Sequence, residues 1–299
     1  MKKVIEICGV TKDYGGGKGV FDLDFAVAEG EVFGFLGPNG AGKTTTIRQL
    51  MGFIRPDKGA LTIGGLDCRT KTAAIQKTLG YIPGEIALPD DMRGTDFLKF
   101  MADYRGIRDT GRVKALCDRF ELDPTGSLRR MSKGMKQKIA IVCALMGDPA
   151  VLVFDEPTSG LDPLMQNRFI DLVLEERGRG KTVLMSSHMF EEVERTCTRV
   201  GILREGRLAA VEDIEALKAR RSRRYIVTLA TPAAAAAFAA LPGLRADPPE
   251  GDRVSVHIKD NMAAFTAAMA ASPVTAIDAP GQSLEDVFLH YYGKEGGAK

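Results

Sequence analysis

Residues 4 to 10 and 20 to 36 carry apolar positions in short pieces that alternate with polar ones or run together, and both stretches predict β-strands. A Gly-rich turn follows, and then a helical pattern from about residue 43 to 52. Between about 90 and 148 the spacing becomes helical throughout. Phe97, Leu98, Met101 and Tyr104 recur on one face, as do Val113, Leu116, Cys117 and Phe120, which predicts a mainly helical insert. Strand signals return in VLVF (151–154) and TVLMSS (182–187), each followed by a helical pattern. Such alternation places helices against a largely parallel sheet.

The pattern then breaks at KARRSRR (218–224), which reads as a basic linker. A solvated helix end explains those charges, as would contact with anionic lipid headgroups. Beyond it, 225–229 predicts a strand and 233–240 an Ala-rich helix, with a turn at Asp247 to Gly251. RVSVHI (253–258) alternates, setting Val254, Val256 and Ile258 on one face. A helix over 261–271, a strand over 274–277 and a last helix from Ser283, with a capping box to Asp286, complete a βαββαβ-like unit. The expected domains are residues 1–217, α/β with a helical subdomain at about 90–148, and a small α+β accessory domain at 225–299.

Composition narrows the picture without changing it. A chain of 299 residues fits about two domains. Its 41 basic and 39 acidic residues leave no global charge footprint, so no nucleic-acid partner is expected. The five cysteines are scattered and odd in number, which suits a reducing compartment better than a disulfide framework or zinc site. No apolar run approaches the roughly 18 residues of a membrane span, since Ile139 to Met146 stops at Gly147-Asp148-Pro149. Glu6 and Gly9 interrupt any signal-peptide core after Lys2 and Lys3. The expectation is a soluble chain that reaches a membrane only through a partner.

Two motifs carry chemistry. GPNGAGKTT (37–45) fits G-x-x-x-x-G-K-[ST] through Gly37, Gly42, Lys43 and Thr44, with Pro38, Asn39, Gly40, Ala41 and Thr45 completing the loop. An apolar strand precedes it and a helix follows, so successive backbone N–H groups and a helix N-terminus face one anion. Lys43 is placed to reach β and γ phosphates, and the Thr44 hydroxyl to ligate Mg²⁺. The second motif is VLVFDE (151–156). Asp155 ends the strand where a P-loop protein holds Mg²⁺, and Glu156, one residue on, points elsewhere and is suited to polarise an attacking water.

With these motifs, LGYIPGE (79–85), MSKGMKQ (131–137), SGLD (159–162) and SSH (186–188) occur in the order and spacing of one family. The chain resembles the ATP-binding subunits of ABC transporters over roughly residues 1 to 215. The last 80 or so residues, including SLEDVFLHYYG, resemble more loosely the appended domains of some export-type subunits. The resemblance implies an ATPase that binds ATP and Mg²⁺, pairs head to tail with a second subunit, identical or not, and drives a polytopic membrane permease from the cytoplasmic face. It implies further that Tyr14 stacks on adenine, that His188 contacts the γ-phosphate and positions water with Glu156, and that Asp162 lies on a loop crossing to the second subunit.

Two positions depart from the family pattern. Its usual glutamine between strand and helical insert is replaced by Gly84, followed by Glu85; either Glu85 substitutes as a metal ligand or water fills the gap. The usual LSGGQ is MSKGM. Ser132 is suited to cap the helix that begins there, whose free N–H groups attract an anion, and Gly134 leaves room for a phosphate. Lys133 adds positive charge beside them. All three would serve the ATP held by the other subunit.

Overall fold

The computed structural model describes residues 2–219, 223–258 and 261–279. The chain divides into two compact units between Ile214 and Glu215.

The first unit opens with β1 (Lys3–Asp13), β2 (Gly19–Ala28) and β3 (Val32–Leu36), followed by α1 (Lys43–Leu50). Next come β4 (Lys58–Ile63), β5 (Leu66–Asp67), α2 (Thr72–Thr78) and β6 (Leu79–Ile82). The helical insert is α3 (Gly94–Tyr104), α4 (Gly111–Arg119) and α5 (Lys133–Leu145), with a short 3₁₀ turn at Leu128–Arg130. Then β7 (Val151–Asp155), α6 (Pro163–Gly178), β8 (Thr182–Ser187), α7 (Phe190–Thr196), β9 (Arg199–Arg204) and β10 (Arg207–Asp213) close the unit.

One six-stranded sheet runs β10-β9-β3-β8-β7-β6, parallel except for the β9–β10 hairpin. Its central strands β3 and β8 are buried along their whole length, as strands covered on both faces require, which is why VFGFL and TVLMSS run apolar instead of alternating. An antiparallel sheet, β2-β1-β4-β5, packs beside it. Phe25 of β2 stacks on Phe33 and Phe35 of β3 at 5.1 and 5.2 Å between ring centroids and joins the two sheets in one core. The ends of β3, β7 and β8 lie side by side, so the loops following them converge.

In the helical insert, Leu98, Ala102, Leu116 and Cys117 face inward. Tyr104, at the end of α3 on the face shared with Phe97, Leu98 and Met101, is 78% exposed although Ala102 in the same turn is buried. Arg112 donates to Leu145 O of α5 at 2.8 Å within the insert and ties the insert to α6 through the buried Glu176 at 2.7 Å.

The second unit contains most of α8 (Ile214–Ala219), then β11 (Arg223–Leu229), α9 (Pro232–Ala239), β12 (Arg253–Ile258), α10 (Met262–Ala270) and β13 (Val274–Asp278). Its sheet is antiparallel in the order β12-β11-β13. The expected face of Val254, Val256 and Ile258 packs with Val227, Phe238 and Phe265. The pattern is β-α-β-α-β instead of the expected βαββαβ. The three strands named from the sequence are all present, and the segment before β12 adds only isolated bridges, Ala246 to Val256 and Glu250 to Arg253. The stretch 218–224 gives its first two residues to α8 and its last two to β11. The helix expected from Ser283 lies outside the described residues.

Candidate nucleotide site

The loop between β3 and α1 rims a cavity of about 540 Å³ that Tyr14 and Glu156 also line. Pro38, Asn39, Gly40, Gly42, Lys43, Thr44 and Thr45 all face it. Lys43 opens α1 and is nearly buried; its Nζ donates to Gly37 O at 2.6 Å and Pro38 O at 3.3 Å. The same ammonium stands 3.2 Å from Glu156 Oε1, close enough for an ion pair but without hydrogen-bond geometry. Ala41 is buried and fixes the loop from below by accepting from the Gly206 N–H at 3.0 Å. The Tyr14 ring is half exposed, with the Lys12 ammonium 5.7 Å from its centroid.

Asp155 ends β7 completely buried. Ser186 Oγ donates to its Oδ1 at 2.6 Å, and the nearby Thr44 hydroxyl also favours the charged form of this carboxylate. Oδ2 has no hydrogen-bond partner among the described residues. Burial pushes the Asp155 carboxyl above its ordinary pKa, and the two hydroxyls oppose the shift only in part. A buried carboxylate with an orphaned oxygen beside a threonine hydroxyl fits a hard divalent cation, as Mg²⁺ is.

Glu156 adopts a left-handed backbone, φ 49°, which costs a non-glycine residue about 1 kcal/mol or more. Its N–H is held by Ser186, donating to the backbone O at 3.2 Å and to Oγ at 3.0 Å. That twist turns Glu156 out of line with Asp155 and lets His188, just past β8, donate from Nδ1 to Oε2. The structure therefore brings together the P-loop, Tyr14, Asp155, Glu156 and His188.

Glu85 does not join them. Its side chain is 92% exposed and pairs with Arg48 at 3.9 Å, an arrangement that favours the alternative in which water fills the place of the missing glutamine. The adjoining backbone explains the departure at Gly84: a Cβ there would sit 2.8 Å from Asp155 Oδ2. The chain passes so close to the carboxylate that glycine fits and a longer residue would have to displace it.

Ser132, Lys133, Gly134 and Asp162 do not line the cavity. Ser132 caps α5, accepting from the Met135 N–H at 3.2 Å, and Asp162 caps α6, accepting from Met165 N–H at 3.0 Å. Gly134 owes its missing side chain to this chain's own backbone, because a Cβ there would meet Gly160 O at 2.8 Å.

Glu192, on α7, has no counterpart among the sequence expectations. It is buried, accepts from Ser187 Oγ at 2.6 Å through Oε2, and leaves Oε1 without a hydrogen-bond partner. Burial pushes its carboxyl up to about 7, helped by the charge of Glu156 and opposed by the Ser187 and Thr158 hydroxyls and by His188. Above the ordinary value of 4.5 the unfolded chain releases a proton that the folded chain keeps until about pH 7. Stability from this group is thus present below 4.5 and is lost as pH rises through 7. Glu192→Gln, shaped like the protonated acid, should match the wild type near pH 4 and gain up to about 3 kcal/mol over it by pH 8. Urea midpoints across that range check this; a pH-independent difference would remove Glu192 as the titrating group.

A glycine-rich loop between strand and helix, a buried aspartate at the end of a parallel strand two places along the sheet and a glutamate that lines the cavity and pairs with a histidine define a P-loop nucleotide hydrolase. Comparison with known proteins narrows the class. The ABC transporter family profile matches residues 20–159. The daunorubicin resistance ATP-binding protein DrrA3 of Streptomyces coeruleorubidus is 32% identical over 304 residues, covering 97% of this chain and 96% of that protein. The uncharacterized ABC transporter ATP-binding protein YhcH of Bacillus subtilis (strain 168) is 35% identical over 227 residues, 72% of each chain. A solved ATP-binding subunit of an ABC transporter superposes with a TM-score of 0.67 at 30% identity, covering 72% of this chain and 92% of that one. The chain belongs to the ABC transporter family as an ATP-binding subunit, and it is an ATPase. No helix among its described residues is long and apolar enough to cross a membrane.

Proposed function

We propose that the chain energises export through a separate polytopic permease, working as a peripheral subunit on the cytoplasmic side of the membrane. The observation that carries the hydrolytic part is that Lys43 and Glu156 line one cavity while His188 bonds to the Glu156 carboxylate. In this reading the P-loop N–H groups and Lys43 hold the phosphates, and Tyr14 stacks on the base. Glu156 takes the proton of the attacking water while His188 steadies its carboxylate. Thr44 and Asp155 would hold Mg²⁺, which when bound supplies positive charge against the phosphate oxygens. Ser132, Lys133, Gly134 and Asp162 are offered to a second subunit, identical or not, whose ATP they cover. ATP binds the paired state better than the open one, and that difference drives the conformational work.

A groove of about 710 Å³ between the sheet layer and the helical insert, lined by Phe53, Tyr81, Met101 and Tyr104, supports contact with the permease. Phe53 and Tyr104 are both exposed there. The second unit serves as an accessory domain. Affinity purification from detergent-solubilised membranes should bring down a polytopic protein together with Mg²⁺-ATP-dependent phosphate release. Recovery with ribosomal RNA and without a membrane protein would overturn the transporter reading.

A further inference from the structure

The unusual lysine of the MSKGM turn does not project freely. Lys133 Nζ donates to Ser159 Oγ at 2.9 Å, and its methylene stem lies over Gly160, where a Cβ would meet Cδ and Cγ at 3.0 Å. Two further contacts fasten the same pair of segments. Gln137, on the next turn of α5, donates to Pro157 O at 2.6 Å in a buried bond, and Gly134 packs against Gly160 O. The N-terminal turn of α5 and the loop 157–160 are thus bolted together inside one chain.

That loop leads straight back to the hydrolytic carboxylate. The Ser159 N–H donates to Glu156 O at 3.1 Å, and Leu161 N–H donates to Thr158 O at 3.0 Å. Two consecutive hydrogen bonds, Lys133 to Ser159 and Ser159 to Glu156, therefore connect the α5 turn to a residue held in a left-handed conformation. Such a conformation persists only where its surroundings over-determine it. A glycine at 133 could make neither the bond to Ser159 nor the cover over Gly160.

We infer that Lys133 is a positioning residue: it braces Ser159, and through Ser159 the backbone of Glu156, so that the turn presented to the second subunit and the hydrolytic carboxylate of the same chain move as one piece. This rests on the paired arrangement proposed above, and it differs from the expectation that Lys133 binds phosphate directly. The brace is exposed in the single chain, where water competes for both partners. Closure by a second subunit removes that water and strengthens it when hydrolysis is due. Occupancy of one ATP site is thereby felt at the carboxylate of the other.

The test is a double-mutant cycle on phosphate release, using Lys133→Met, Ser159→Ala and the pair. Each single variant should lower kcat at least about fivefold, and the double variant should be no slower than the worse single. Affinity of the single chain for a fluorescent ATP analogue should stay within about twofold of wild type, and Lys133→Arg should recover most of the rate. A silent Ser159→Ala with a slow Lys133→Met, or additive losses, would overturn the brace in favour of a direct phosphate contact. Wild-type rates in Lys133→Met would overturn it outright. Failure of the paired arrangement itself reads out separately, as absence of ATP-dependent dimers in the Glu156→Gln background.

Discussion

Glu156→Gln should bind ATP at least as tightly as the wild type, accumulate as an ATP-bound dimer and lose turnover by roughly 10²- to 10⁴-fold. The amide keeps the shape of the carboxylate, so its oxygen still accepts from His188 and the left-handed turn is undisturbed. What disappears is the base and one negative charge. That charge lies 3.2 Å from the Lys43 ammonium and helps hold the Asp155 carboxyl above its ordinary pKa. Neutralising it frees Lys43 for the phosphates and lets Asp155 ionise more readily, and both changes favour nucleotide binding while abolishing hydrolysis. Phosphate release with Mg²⁺-ATP, read beside size-exclusion chromatography with and without ATP, separates the two effects. A Glu156→Gln chain that hydrolyses ATP normally would show that another group takes the proton.

What was legible in the sequence follows from how local each signal is. The P-loop is contiguous, so its strand, turn and helix could be read from residues 32–50 alone, and the Lys43 contacts agree with that reading. Ser132 as a cap is equally local. Asp155 and Glu156 were assigned different directions from their adjacency, and the φ of 49° at Glu156 is the physical cause. Tyr104 shows that helical spacing says which residues share a face but not how far each is covered. Glu85 has chemistry that suits a cation, but its side chain stands in solvent beside Arg48, which the sequence does not reveal. Glu192, Gln137 and the Lys133–Ser159 bond carry no sequence signal, since each depends on how a helix packs against a strand end or loop.

These contacts also show why the site is built around charge held in low dielectric. Asp155 and Glu192 are buried carboxylates on either side of Glu156, and both are pushed up by burial and by the Glu156 charge. Lys43 and His188 are the groups of opposite character at the same place. Incoming phosphates add negative charge, so the balance holds only while the Lys43 ammonium stays among them. The lysine is therefore the residue whose loss the binding step should feel most.

Lys43→Ala should weaken ATP binding about 100-fold or more, because charge-assisted bonds to phosphate contribute about 1.5–3 kcal/mol each and this ammonium is aimed by the loop itself. Its bonds to Gly37 O and Pro38 O fix it at the mouth of the cavity before any nucleotide arrives, so little ordering is left to be done on binding. Removing it also leaves Asp155 and Glu156 facing phosphate without that cation, and the Asp155 carboxyl, which Lys43 holds down, rises further. Lys43→Arg separates charge from geometry. The guanidinium keeps the positive charge but is too broad for a place where Nζ sits 2.6 Å from one carbonyl and 3.3 Å from the next. It should recover less than half of the lost binding free energy. Calorimetric titration of both variants with ATP, on chains whose urea midpoints show them folded, checks this. Wild-type affinity in Lys43→Ala would mean that ATP does not bind in this cavity, and the assignments of Thr44, Asp155 and Glu156 would fall with it.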